Sequence, residues 1–139
     1  MTCELCTAEG GQVLWQDARL RVVHVDEPGY PGYCRVIWKQ HVKEMSDLAE
    51  IERNHCMNAV FMVEAVLREL LAPDKINIAS LGNFTPHVHW HVIPRFRDDA
   101  HFPQSIWGEP HRAARPARGD ATRDLPQRIA QALAVRFGA

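Results

Sequence analysis

The sequence predicts an α+β domain: about five antiparallel strands in one sheet, one long helix across it, and a short helix near the C-terminal end. Three observations carry that prediction. Short runs rich in β-branched and aromatic residues recur through the first hundred or so positions, and one long stretch spaces its apolar residues as a helix does. The joins between these runs are built from Gly, Pro, Asn and Asp, which favour turns. A chain of 139 residues suits one hydrophobic core, and 46% hydrophobic with 24% charged residues is the composition of a folded globular chain.

Taken in order, Val13-Leu14-Trp15 and Leu20 to Val25 read as the first two strands. Pro28-Gly29-Tyr30-Pro31-Gly32 is turn chemistry, and Arg35 to Trp38 reads as the third strand. Leu48, Ile51, Cys56, Val60, Val63, Leu67 and Leu70 then recur at three- to five-residue intervals, the apolar stripe of an amphipathic helix. Asp47 and Glu50 have capping-box spacing at its start, and Pro73-Asp74 closes it. The helix so bounded has about 24 residues and spans about 36 Å. Lys75 to Leu81 and Val88 to Pro94 read as strands four and five.

From Gly108 to Arg123 the composition shifts to Arg, Ala, Pro and Gly. Arg112, Arg115, Arg118 and Arg123 share no helical face, so a mobile segment is expected there. Leu125, Ile129, Leu133 and Phe137 at i, i+4 spacing predict the final short helix. The expected division is a domain over residues 1–107 and a C-terminal extension over residues 108–139.

Sixteen Lys and Arg against seventeen Asp and Glu leave a net charge of −1, which provides no field to gather nucleic acid or an acidic membrane. Neither is an expected partner. The most apolar stretch, Asn58 to Ala72, is interrupted by Glu64, Arg68 and Glu69 and is too polar to span a bilayer. Met1 to Cys6 lacks a basic region followed by an apolar run, so a cytoplasmic location with reduced cysteines is expected. In that setting Cys34 and Cys56 read as buried small apolar residues, and Cys3-x-x-Cys6 as a metal half-site or redox pair. No phosphate-binding P-loop or dinucleotide fingerprint occurs, and no organic cofactor is expected.

Three histidines in Pro86-His87-Val88-His89-Trp90-His91-Val92-Ile93-Pro94 carry the chemistry. On a strand, alternate residues share a face, so the three imidazoles line one side about 6.5 Å apart while Val88, Trp90 and Val92 face the helix. Three imidazoles in a row contribute little burial and leave several ring nitrogens to satisfy. Three readings stand. The row chelates a metal, although its outer pair, about 13 Å apart, needs a bend to share one ion. Alternatively, one imidazole is a nucleophile and its neighbours donate to the developing charge. In the third reading, favoured here, the row is split: the first histidine is structural and the other two act on substrate.

The run His87 to Ile93 resembles the His-φ-His-φ-His-φ-φ signature of the histidine-triad (HIT) superfamily of nucleotide hydrolases and nucleotidyl transferases. The resemblance extends to Cys3-x-x-Cys6, to Lys39-Gln40-His41-Val42, to the long helix and to Pro94-Arg95-Phe96, and covers roughly residues 3 to 107. It implies the HIT-like fold described above and a homodimer. It also implies an activity: cleavage of the α-phosphate bond of a purine nucleotide conjugate, such as a diadenosine polyphosphate or an AMP phosphoramidate, through a nucleotidyl-histidine intermediate. In that scheme His89 is the nucleophile. His91 donates to a phosphate oxygen and helps protonate the leaving group. Cys3, Cys6, His41 and His87 match the positions that hold a structural zinc ion in one branch of the family.

The loop before the row departs from the family's usual Gly-Gln-Ser/Thr-x-x-His, reading Leu81-Gly82-Asn83-Phe84-Thr85-Pro86-His87. By position Asn83 and Thr85 take over contacts to the phosphate, and Asn77 on the preceding strand is placed near ribose or phosphate. The changed loop sustains an alternative: a catalytically weak, zinc-stabilised nucleotide-binding module. Elsewhere, His24 and His55 read as ordinary strand and helix residues, and Arg95 as a surface charge at a strand end. Asp98 to Pro103 reads as a solvated turn, and Trp107 as a core or interface aromatic.

Overall fold

The computed structural model describes residues 2–115 and 119–138. The apolar runs form five strands, β1 (Gln12–Gln16), β2 (Leu20–His24), β3 (Cys34–Trp38), β4 (Lys75–Ala79) and β5 (His89–Arg95). They make one antiparallel sheet in the order β1-β2-β3-β5-β4. Three helices accompany it, α1 (Glu4–Thr7), α2 (Glu50–Leu71) and α3 (Leu125–Phe137). The predicted α+β architecture, with one long helix on a five-stranded antiparallel sheet, is the one observed.

Period-2 alternation sorts the sheet into two faces. On one, Leu20, Val22, Cys34, Val36, Trp38 and Val92 pack against Cys56, Ala59, Val60, Val63 and Leu67 of α2. Each large aliphatic side chain so buried contributes about 1.5–3 kcal/mol. The other face carries Arg21, Arg35, His89 and His91 among Val23, Ile37 and Ile93, with α1 seated there through Leu5. The polar residues of β2, β3 and β5 are therefore gathered on the face away from α2.

The helix differs from its sequence reading at its start. Its cap lies two residues beyond Asp47: the Ala49 N–H donates to Glu52 Oε1 at 2.9 Å, and α2 begins at Glu50. Asp47 instead closes a short 3-10 turn, accepting from the Glu44 N–H at 3.3 Å. Ile51, expected on the apolar stripe, is 70% exposed, whereas Ala59, Val66 and Leu71 are buried. A 3.6-residue period carries Ile51 off the buried face. Ala72 ends the helix in the left-handed region at φ 46°, its N–H donating to the Arg68 carbonyl at 3.1 Å. The end of α2 also explains one glycine. At Gly32, φ is +84° and a Cβ would lie 2.5 Å from Leu71 Cδ1, so the turn into β3 passes under α2 only without a side chain.

The strand after α2, β4, takes the sheet edge, and β5 returns between β4 and β3. That topology puts His89 beside Ile37 and His91 beside Arg35. At the C-terminal end, Leu125, Ile129 and Leu133 of α3 are buried, and the helix packs on α2 and β1.

In the described part of the segment before α3, two of the arginines have defined partners. Arg112 Nη1 donates to the carbonyls of Asp99 at 2.6 Å and Phe102 at 2.8 Å. Arg115 pairs with Asp98 at 3.2 Å and lies over the Phe96 ring at 4.4 Å. These cations bind individual carbonyls, a carboxylate and a ring, which a search for a helical face does not detect. Arg118 falls outside the described residues. Among the described residues no helix is long and apolar enough to cross a membrane.

Candidate active site

His87 sits just before β5, its N–H donating to the Thr85 carbonyl at 2.8 Å. This turns its ring away from the other two histidines and toward α1. Its Nδ1 lies 3.4 Å from Cys3 Sγ, 3.5 Å from Cys6 Sγ and 3.2 Å from His41 Nδ1, while Cys6 Sγ lies 3.3 Å from His41 Nδ1. Four donors drawn from α1, the β3–α2 connection and the lead into β5 thus fall within 4.8 Å of one another.

The spacing suits a zinc ion. Tetrahedral bonds of about 2.0–2.1 Å to nitrogen and about 2.3 Å to sulfur separate the ligand atoms by about 3.3–3.8 Å. His87 Nε2–H donates to the Trp38 carbonyl, which leaves the Nδ1 lone pair facing the cluster. The donor set, two thiols and two imidazoles, is compatible with structural zinc. Cys34 and Cys56 lie outside the cluster, in the core, where burial pushes both thiols up to about 12.

His89 and His91 face a cleft of about 500 Å³. His89 Nδ1–H donates to the His87 carbonyl at 2.7 Å, so this tautomer carries its lone pair on Nε2. The His91 ring lies 5.0 Å from His89, edge to face, and its Nδ1 is 2.6 Å from the buried Tyr33 Oη. Burial raises the Tyr33 phenol, with Arg35 opposing, and the phenol remains protonated. Its O–H donates to Nδ1, which places the His91 proton on Nε2. Burial, the neighbouring His89 and Arg35 together push His91 down to about 3, so the imidazole is a neutral donor at physiological pH.

The loop before β5 forms one rim, with Gly82, Asn83, Phe84 and Thr85 lining the cleft, and Ser80 Oγ anchoring it to the His89 carbonyl at 2.7 Å. Asn83 and Thr85 therefore share a cleft with His89 and His91. Asn77 does not line it. Its Oδ1 accepts from Arg95 Nη1 at 2.7 Å, within a network under the following loop.

That network corrects two expectations. Arg95 is 2% exposed and Asp99 fully buried, bound to each other at 2.8 and 3.0 Å. Asp99 also accepts from the N–H groups of Phe96, His101 and Phe102, and Arg95 donates to the Gln104 carbonyl at 2.8 Å. Burial alone would raise the Asp99 carboxyl, but Arg95 and the N–H groups of Phe96 and Phe102 outweigh it and hold it at about 2. Residues 96 to 104 are thus a strapped loop rather than a solvated turn. The strap delivers Trp107, half exposed, onto the site with its ring 4.9 Å from His91. Trp107 is a wall of the cleft and not a core aromatic. Outside the site, His55 Nε2 meets Asp17 Oδ2 at 2.7 Å, tying α2 to the β1–β2 turn.

The strand pattern carries no signal for Tyr33, Arg35 or Glu4, all brought to the site by the fold. A charged residue amid the apolar run Cys34 to Trp38 was the available hint for Arg35; only the β3–β5 register pairs it with His91.

An α+β sheet whose interior strand β5 presents paired histidines beside a Cys/His cluster defines a histidine-triad type of site. Residues 8–98 match the HIT domain, and the chain belongs to the HIT family. It is 29% identical over 87 residues to an AP-4-A phosphorylase of Mycobacterium tuberculosis, covering 58% of this chain and 45% of that one. It is 30% identical over 96 residues to an asymmetrical bis(5'-nucleosyl)-tetraphosphatase of Schizosaccharomyces pombe, covering 65% and 52% respectively. The chain thus spans about half the length of the curated relatives it matches. Among solved structures, a histidine triad protein of Bradyrhizobium japonicum superposes with TM-score 0.72 at 25% identity, covering 87% of this chain and 89% of that one. A zinc-bound histidine triad family protein of Mycobacterium smegmatis has the same fold, with TM-score 0.69 at 23% identity and coverage of 97% and 98%.

Proposed function

We propose that the protein cleaves the bond at the α-phosphorus of a nucleotide conjugate, using His89 as the nucleophile, with residues 1–107 as the acting domain and residues 108–139 as its extension. The observation that carries this reading is the hydrogen bond from His89 Nδ1–H to the His87 carbonyl, 2.7 Å long, which leaves a nucleophilic Nε2 in a residue lining the cleft. Nucleotides as the substrate class are supported by family membership and by the names of the two relatives.

In the proposed reaction Nε2 of His89 bonds to phosphorus as the bond to the leaving group breaks. The departing group keeps the bonding pair and takes a proton from water in the open cleft. His91 Nε2–H donates to a phosphoryl oxygen and stabilises the charge that develops, with Asn83 and Thr85 as further polar contacts. Water then attacks phosphorus, releasing the nucleoside monophosphate and a proton and restoring His89. Cys3, Cys6, His41 and His87 would hold a zinc ion, which supplies structural cross-linking of α1 to the sheet. All four positions are protein ligands, and no step requires the metal.

The test is AMP release from a diadenosine polyphosphate, an adenosine phosphoramidate and an aminoacyl-adenylate, on wild type and His89→Ala. Acid-quenched intact mass reads the nucleotidyl adduct, and light scattering reads the homodimer expected of the active species. Release and adduct in wild type alone support the mechanism. AMP binding without release or adduct across the panel would refute it in favour of a binding module.

A further inference from the structure

Cys3 and Cys6 are placed to bond to each other as well as to a metal. The N–H groups of Cys6 and Thr7 both donate to the Cys3 carbonyl at 3.1 Å, so the two cysteines stand one helical turn apart. One turn sets their Cα atoms about 5 Å apart, inside the range of about 4.4–6.8 Å that a disulfide spans. Their sulfurs lie within 4.8 Å of each other and turn to the same side, 3.4 and 3.5 Å from His87 Nδ1. Side-chain rotation closes that gap to the S–S length of about 2.05 Å with the helical turn kept.

Access separates this pair from the other two cysteines. Cys6 and His41 are exposed and Cys3 is half-buried, so an oxidant in solution meets the sulfurs without any opening of the fold. Cys34 and Cys56 are fully buried in the sheet–helix core, out of an oxidant's reach. The pair also ties α1 down. Leu5 packs with Val23 and Ile37, and Arg21 donates to the carbonyls of Leu5 at 2.8 Å, Ala8 at 2.9 Å and Glu9 at 2.8 Å. To these the four-donor cluster adds the link from α1 to His41 and His87. Glu4 and Leu5 of α1 in turn line the cleft that His89 and His91 face. What happens at the two sulfurs therefore bears on the rim of the cleft.

We infer that Cys3 and Cys6 are a thiol–disulfide pair whose oxidation takes apart the four-donor cluster and loosens α1 at the rim of the cleft. With hydrogen peroxide as the oxidant, the Cys6 thiolate bonds to one oxygen as the O–O bond breaks, giving a sulfenic acid and hydroxide. The Cys3 thiolate then bonds to Cys6 Sγ and expels a second hydroxide. Two electrons pass from the sulfurs to the peroxide, and two solvent protons turn the hydroxides into water. The disulfide is no longer an anionic ligand, which leaves two imidazoles of the four donors, too few to close a tetrahedral zinc site. A dithiol reductant returns two electrons and two protons, restores both thiols and becomes a disulfide itself. Arg21 and Leu5 keep α1 near the sheet throughout, so the change falls on the rim and not on the nucleophile.

The experiment treats the zinc-loaded full chain with excess hydrogen peroxide and then with dithiothreitol and fresh zinc. Intact mass with peptide mapping reads the disulfide, a chromogenic chelator reads released zinc, amide hydrogen exchange over residues 4–8 reads α1, and calorimetric titration reads AMP affinity. Oxidation is expected to remove two hydrogens from the peptide that holds Cys3 and Cys6 and to release the zinc. Exchange in α1 should quicken about tenfold. AMP affinity should fall about fivefold, the low end of coupling between two sites. Reduction with zinc should reverse all four changes. Cys3→Ser should instead gain oxygen at Cys6, as a sulfenic or sulfinic acid, and lose no hydrogen.

Oxygen added to Cys6 of wild type in place of the disulfide would overturn the pair, as would a mass that peroxide leaves unchanged. A disulfide that leaves zinc bound, or a reduced chain that binds none, would overturn the disassembly of the cluster. Zinc loss with unchanged exchange in residues 4–8, or with unchanged AMP affinity, would overturn the link to the cleft. The AMP titration alone rests on the nucleotide reading above. Should the reduced protein bind no AMP, that reading falls, and mass, zinc and exchange still decide for the pair.

Discussion

Asp99→Asn is the substitution whose cost the structure specifies most sharply. Asp99 is fully buried and accepts five hydrogen bonds, two from the Arg95 guanidinium and three from the N–H groups of Phe96, His101 and Phe102. Asparagine keeps the shape but puts an amide N–H₂ where one acceptor oxygen stood, donor against donor, and leaves Arg95, 2% exposed, without its counter-charge. Breaking a buried pair from one side costs about 3–5 kcal/mol. The neighbouring Asp98→Asn is the control. Its carboxylate is 69% exposed and makes one contact at 3.2 Å to Arg115, so its loss should cost less than about 1 kcal/mol. Urea unfolding of the zinc-loaded proteins at pH 7 reads both.

The same residue sets a pH dependence. Its folded carboxyl at about 2 lies below the ordinary 3.8, so the stabilisation is complete above about pH 5 and is lost as pH falls toward 2. At 1.36 kcal/mol per pKa unit the lost amount is about 2 kcal/mol. Wild type should therefore approach Asp99→Asn in stability as the solution is acidified, and comparing the two proteins cancels titrations common to both, those of the Cys/His cluster included. A cost below about 1 kcal/mol at pH 7, or a stability gap that stays constant from pH 7 to pH 3, would refute the reasoning.

Two other outcomes follow from the site. Tyr33→Phe removes the donor to His91 Nδ1, 2.6 Å away, and frees the ring to exchange tautomers. We expect kcat to fall about tenfold with KM little changed, from the about 1–3 kcal/mol at stake when a buried group loses its partner; unchanged kcat would show that Tyr33 does not position His91. Removal of zinc by a chelator should lower the thermal midpoint and release α1 without abolishing AMP production at low temperature, because His89 and His91 lie outside the four-donor cluster. Immediate loss of activity in protein that stays folded would instead make the metal catalytic.

Local pattern was enough for most of the fold. Alternation and turn residues located all five strands to within two residues at each end, and helical spacing found α2 and α3, because side-chain periodicity reports which face of an element is buried. The histidine row and Cys3-x-x-Cys6 were equally legible, since few structural roles require such residues at such spacing. Helix capping was less so: Asp47 and Glu50 have the spacing of a capping box, yet α2 begins at Glu50 after Ala49, which has no side-chain acceptor and whose N–H is held by Glu52.

What only the tertiary structure decided are the partnerships between distant positions. Asp99 looks like a loop carboxylate until Arg95 and three N–H groups close around it, and Arg95 looks like a strand-end charge until the loop buries it. Arg35 and Arg21 are alike on their strands, yet the carbonyls of α1 and the loop after it saturate one and leave a buried donor on the other. The separation of His87 from His89 likewise depends on where β5 begins, which is set by pairing with β3. Periodicity records how one element meets the core, whereas the charge and hydrogen bonding of a site depend on strand register and loop closure, to which residues far apart in the chain contribute together.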